Sequence, residues 1–179
     1  MLFYPTKLLF SCFFVYCIFA KPLSAIDENN KDLAIHHFMQ GEFLLNQGNY
    51  ALAVLEFQDA LDIDPNAPTI HTSIADGYRR LGRLKHAENH LQIAIALDSN
   101  DIAAREMLGQ LYLLNRQYKL AENQFLALSE IDLNNDNYLS VLGDLSKLQK
   151  SWDRSIDFYL KAYQINPQNF KVLENAMQV

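Results

Sequence analysis

Residues Ala34–Asn66 read AIHHFMQGEFLLNQGNYALAVLEFQDALDIDPN. Ile35, Phe38, Leu44 and Leu45 recur at helical spacing as far as Asn46-Gln47-Gly48-Asn49, where Gly48 can take the left-handed conformation that ends a helix. Tyr50, Ala51, Ala53, Val54, Phe57, Ala60 and Leu61 then form a second amphipathic run. Asp64-Pro65-Asn66 closes it, because Pro65 lacks the donor that a helix needs and restricts the residue before it. The stretch is therefore expected to be two antiparallel helices. Gly41, Ala53 and Ala60 let the backbones approach, and Phe57 fills the space beside them. One such hairpin buries too little apolar surface to stand alone.

The same pattern returns at a fixed offset of 34 residues. Ala75, Tyr78, Gly82, Ala87, Leu91 and Ala94 fall under Gly41, Leu44, Gly48, Ala53, Phe57 and Ala60. Next come Gly109, Tyr112, Tyr118, Ala121, Phe125 and Leu128, then Gly143, Ser146, Trp152, Ser155, Tyr159, Ala162 and Pro167. The array resembles the tetratricopeptide repeat, W-x2-L-G-x2-Y followed by A-x3-F and P, over about three quarters of the chain. The copies depart from that pattern in places. His37, His71, Arg105 and Leu139 stand at the Trp position, and Ser99 and Leu133 replace the closing Pro in the middle units. Those helix ends rest on the Asp98-Ser99-Asn100 and Asn134-Asn135 turns. Ser146, Ser155 and Lys150 make the fourth unit the poorest match.

The resemblance implies an all-α, right-handed superhelical solenoid of antiparallel helix pairs, with units at 34–67, 68–101, 102–135 and 136–169. Residues 170–179 begin a fifth unit, read either as a capping helix or as the start of a longer array. Residues 26–33 read as a polar lead-in. Leu8–Ala20 is a continuous apolar run preceded by Lys7, so residues 1–25 read as a secretory signal peptide cleaved before Ile26. The alternative is a membrane anchor over residues 2–20. Export, to the periplasm or along the secretory pathway, is the expected localisation. Both cysteines, Cys12 and Cys17, lie in that run, which leaves the remainder without thiols for a disulfide or a metal.

The chain carries a formal charge of −6, and the 1–25 segment contributes lysines but no acid. With no basic stripe to neutralise phosphates, nucleic acid is a poor partner. No phosphate-binding glycine loop, nucleophile elbow or paired-carboxylate signature is present, so neither catalysis nor a cofactor is expected. His86 and His90 have the spacing of two ligands on one helix, but HAENH matches neither zinc signature and they read as a solvated face. His37 and His71 share a repeat position and read as packing residues. Gly77 has no evident role in the sequence.

The family resemblance implies a concave groove lined by the first helix of each unit, which takes a peptide or helix of a protein partner. By repeat position its central row is Glu42, Asp76, Gln110 and Asp144. Phe38, Thr72, Glu106 and Ser140 flank it on one side, and Leu45, Arg79, Leu113 and Lys147 on the other. Three acids in the central row suggest basic or amide-bearing segments as partners. Some family members grip a chaperone's terminal carboxylate with Lys, Asn and Arg. Here Phe38, Glu42, Ser73, Ala103 and Met107 occupy the matching places, so that clamp is missing. The expected function is a non-catalytic scaffold of the cell envelope or secretory pathway. The alternative is a substrate-recognition region of a longer enzyme.

Overall fold

A computed structural model describes residues 23–179. The apolar run Leu8–Ala20, on which the signal-peptide and anchor readings rest, lies outside the described residues. Among these the chain is helical without strands: α1 (Leu23–Asn46), α2 (Tyr50–Ile63), α3 (Pro68–Arg80), α4 (Leu84–Leu97), α5 (Ile102–Leu114), α6 (Tyr118–Ile131), α7 (Asp136–Leu148), α8 (Trp152–Ile165) and α9 (Phe170–Met177). After α1, first helices open at Pro68, Ile102, Asp136 and Phe170, and second helices at Tyr50, Leu84, Tyr118 and Trp152, always 34 residues apart. Each helix packs on the next, so the molecule is a solenoid of helix pairs built from neighbour contacts. No described helix is long and apolar enough to cross a membrane.

Within three of the pairs, a glycine on the first helix receives an aromatic ring from the second. A methyl added at Gly41 would lie 2.5 Å from Phe57, at Gly109 2.9 Å from Phe125, and at Gly143 2.5 Å from Tyr159. The second pair keeps the interlock with a smaller couple, Ala75 and Leu91, both fully buried. Gly77 serves the contact between pairs. A methyl there would meet Val54 Cγ2 at 2.7 Å, so its bare backbone admits α2 of the preceding unit.

Polar cross-links repeat as well. Gln58 donates to Tyr78 Oη at 3.2 Å, and Gln92 does the same to Tyr112 one unit later. In the following unit the two places hold Leu126 and Ser146, and the buried Ser146 Oγ is left with no hydrogen-bond partner. Ser155 keeps its hydroxyl satisfied by donating to the Gly143 carbonyl at 2.8 Å. Glu122 is fully buried and ties α6 to the fourth unit, accepting from Arg154 at 2.6 Å, Gln149 at 3.2 Å and Lys119 at 3.1 Å. Burial alone would raise its pKa, but the three donors outweigh it and hold the carboxylate below its ordinary value.

Four expectations need correction. Residues 26–33 are not a lead-in, because α1 already runs through them as helix. The apolar face of α1 is Ala34, Gly41 and Leu45, whereas Ile35 is 49 % exposed. Trp152 is about half exposed, although it opens α8 in register with Tyr50, Leu84 and Tyr118, which pack partly buried against the core. In α9 the buried anchor is Val172, while Phe170 and Met177 are exposed.

Candidate functional site

The first helices present a run of side chains that the second helices do not cover. Local sequence fixes where each helix begins. Asp101 caps α5 by accepting from the Ala104 amide at 2.9 Å, and Asn135 accepts from Asn137 at the start of α7. Asp98 and Asp132 accept from the Asn100 and Asn134 amides in the turns that precede those caps, as the Asx chemistry of the sequence predicts. The first helices therefore enter in a constant register, and their groove-row residues recur along the array.

Glu42 accepts a 2.6 Å hydrogen bond from Ser73 of the next unit. Asp76 is clasped on its own helix by Arg79 Nη2 at 2.5 Å and Arg80 Nε at 2.7 Å. The Arg80 guanidinium also lies over the Tyr50 ring at 5.5 Å. Its pKa is raised, first by the bond to Asp76 and then by Tyr50. Asp144 accepts from the buried Tyr159 hydroxyl at 2.6 Å, and burial together with that carboxylate pushes the phenol's pKa up. Gln110 is exposed. In the central row, Asp76 is thus neutralised locally by its arginines, while Glu42 and Asp144 have only neutral donors.

The flanking positions divide. Thr72 and Leu45 are 7 % and 8 % exposed, so neither offers contact area. Thr72 donates instead to the Asp101 carboxylate at 2.9 Å and binds one unit to the next. Phe38 is half-buried with its ring 5.8 Å from that of Phe57. Glu106 accepts from Tyr138 Oη at 2.6 Å, and Ser140 is half-buried. Arg79 is well exposed, Leu113 half-buried, and Lys147 lies 3.5 Å from the Gln178 carbonyl. Leu114 and Leu148, missed from sequence, are 69 % and 58 % exposed at equivalent ends of α5 and α7. The signal was present: each directly follows an assigned groove residue and interrupts the polar pattern expected of a helix end. Exposed apolar side chains are thus present on α5 and α7 as well as on α1, where Ile35, Met39 and Phe43 are exposed beside Glu42.

The histidines are arranged differently from their sequence reading. His71 is buried, and its Nδ1 lies 3.0 Å from His90 Nδ1. His71 Nε2 also lies 3.4 Å from the Pro65 carbonyl, which can only accept. His90 and His86 both stack on Tyr78, with ring centroids at 5.6 Å and 5.1 Å. His86 is exposed, as the sequence reading expects, whereas His90 is half-buried against His71 and Tyr78. Burial, with the neighbouring His71 and His86, lowers the His90 pKa to about 4.

The family model described as tetratricopeptide repeat matches residues 24–68 and 72–138. A protein O-mannosyl-transferase of Caenorhabditis elegans is 31 % identical over 75 residues, which is 42 % of this chain and 11 % of that protein. BBSome complex member BBS4 of Mus musculus is 24 % identical over 136 residues, 76 % of this chain and 26 % of that protein. This chain thus spans only a small part of either relative. The crystal structure of MamA superposes with a TM-score of 0.72 at 17 % identity, covering 81 % of this chain and 79 % of the other. The first repeat domain of Spaghetti (RPAP3), solved with an HSP90 peptide, gives 0.62 at 23 %, covering 67 % and 95 %. At such identities the structures speak for the fold alone.

Proposed function

Since the chain belongs to the tetratricopeptide repeat family, whose members are in general protein-interaction scaffolds, we propose that it is a non-catalytic adaptor that takes a peptide or helix of a protein partner against its first helices. The observation that supports this reading is the recurrence of Glu42, Asp76, Gln110 and Asp144 at one position per helix pair, a periodicity that an extended ligand can follow. The favoured ligand is basic or amide-bearing at Glu42 and Asp144, where no cation compensates the acid, and apolar beside Leu114 and Leu148. A chaperone tail of acidic character does not suit it, because Ser73 is engaged with Glu42 and no lysine or arginine stands at the matching clamp places. The chain works in the envelope or secretory pathway under this proposal, with residues 1–25 as leader or anchor.

Binding to arrays of Lys/Arg-rich, Asn/Gln-rich and Asp/Glu-rich peptides tests the reading. The first two sets should be retained and should weaken several-fold in a Glu42→Lys, Asp144→Lys variant; preference for the acid-rich set overturns it. A second reading, substrate recognition within a longer enzyme, draws on the 75-residue match to the O-mannosyl-transferase. Transcript sequencing across the codon for Val179 distinguishes them, since an open frame into a catalytic domain favours the second.

A further inference from the structure

The first hairpin brings together three metal-ligating groups that no role in the groove employs. His37 on α1 places Nδ1 2.9 Å from Glu56 Oε2 on α2, and Asp59, one turn further along α2, completes a set whose donor atoms all lie within 4.8 Å of one another. We propose that His37, Glu56 and Asp59 form a binding site for a divalent first-row ion, with Zn2+ as its best fit, that staples α1 to α2.

The repeat itself shows why this set is unusual. The place of the His37–Glu56 pair is held in the next unit by His71–His90, then by Arg105 and Gln124 at 3.1 Å, and then by Leu139 and Phe158. A cross-hairpin pair at this level is thus a property of the array. The third group is not: Asp59 is replaced by Ile93, Ala127 and Lys161 in the later units. Among the described residues only the first hairpin assembles an imidazole and two carboxylates. Among the described residues Asp59 has no ion pair, and Glu56 has only that with His37, so two acids converge without a permanent cation. One nitrogen and two oxygens suit Zn2+, with remaining positions open to water; donors about 3.4 Å apart surround such an ion in tetrahedral geometry. The His37–Glu56 pair is already closer than that, and rotation of the exposed Asp59 side chain brings in the third donor. Both carboxylates lie on one helix face at i, i+3 spacing, so the backbone need not move.

The test is titration of ZnCl2 into the chelator-treated full-length protein, followed by calorimetry, with Co2+ absorption as a spectroscopic reporter and thermal unfolding as a second readout. One equivalent should bind with a Kd in the micromolar range and raise Tm. Glu56→Gln and Asp59→Asn should each weaken binding at least tenfold, with helical circular dichroism confirming that the variants fold. His90→Asn, which removes the other histidine pair, should leave it unchanged. Failure to saturate at one equivalent, binding that survives both carboxylate substitutions, or binding that disappears with His90 overturns the proposal.

Discussion

A single methyl group separates the two kinds of packing in this molecule. At Gly109 it would collide with Phe125 inside a hairpin, and at Gly77 with Val54 across two hairpins. Overpacking of this sort costs about 1–3 kcal/mol. Gly109→Ala and Gly77→Ala should both lower the chemical-denaturation midpoint, whereas Gly82→Ala meets no neighbour and is penalised only through its positive φ of 72°. The first role was legible, since Gly41, Gly109 and Gly143 keep constant distances from Phe57, Phe125 and Tyr159 in sequence. The second was not, because Gly77 answers to a side chain on the preceding unit and no spacing within its own helix reveals it. Ser146 is a related case: its buried hydroxyl is orphaned where Leu126 stands in place of the glutamine of earlier units. Ser146→Ala should therefore stabilise the protein by about 1 kcal/mol, measured by urea unfolding, instead of opening a costly cavity.

His90 yields a pH dependence at the same scale. Its folded pKa, about 4, lies below the ordinary 6.5, so as pH falls the unfolded chain takes up this proton first. The stability it contributes is complete above about pH 6.5 and drains away between there and about 4. Because the ring is only half-buried, the loss by pH 4 should be about 1–2 kcal/mol after discounting for solvent. Comparison of urea midpoints at pH 7.5 and pH 5 should show a smaller drop in His90→Asn than in the wild type. Glu122, whose lowered pKa means stability lost only below the carboxylate range, does not confound that window. Sequence spacing suggested that His86 and His90 face solvent; His71, nineteen residues earlier, is what draws His90 inward.

At the level of the helix, the turn between partners is the recurrent weak point. Its left-handed residue is Gly48 and Gly82 in the first two units, but Arg116 and Lys150, at φ of 56° and 58°, in the third and fourth. A side chain in that conformation costs about 1–2 kcal/mol, partly offset by the greater freedom glycine has when unfolded. Arg116→Gly and Lys150→Gly should each raise Tm, with a net gain of about 0.5–1 kcal/mol. The helix ends were readable from Asp98, Asn134 and Pro65 because turn chemistry is local. The extent of α1 was not, since residues 26–33 carry no apolar periodicity and become helix as a continuation of the packed turns that begin at Ala34. The groove shows the same division. Register fixes which positions recur along the helices, but whether Thr72 faces outward or the Asp101 carboxylate depends on a neighbouring unit.

Across the whole array, stability is distributed unevenly. A continuous apolar core runs from Leu45 in α1 to Leu145 in α7, while Tyr159, Ala162 and Val172 form a separate small cluster between α8 and α9. In an array whose stability is a sum of unit and neighbour terms, the segment outside the main core opens at the lowest free energy. The sequence marks the whole fourth unit as weakest on account of Ser146, Ser155 and Lys150, but α7 contributes Tyr138, Leu142 and Leu145 to the main core and belongs with the stable part. Glu122 holds the end of α7 to α6 by accepting from Gln149, so the break in protection should fall within the last pair, where opening of α8 gives up its Arg154 bond to the same carboxylate. Amide exchange should accordingly be fastest in residues 152–177 and slowest in α3 through α6. Substituting Val172 by Ala, a buried anchor of α9, should accelerate exchange in α8 and α9 while leaving α3 unchanged. Uniform acceleration along the chain would instead mean that the array unfolds as one cooperative unit and that the small cluster is not separable from the core.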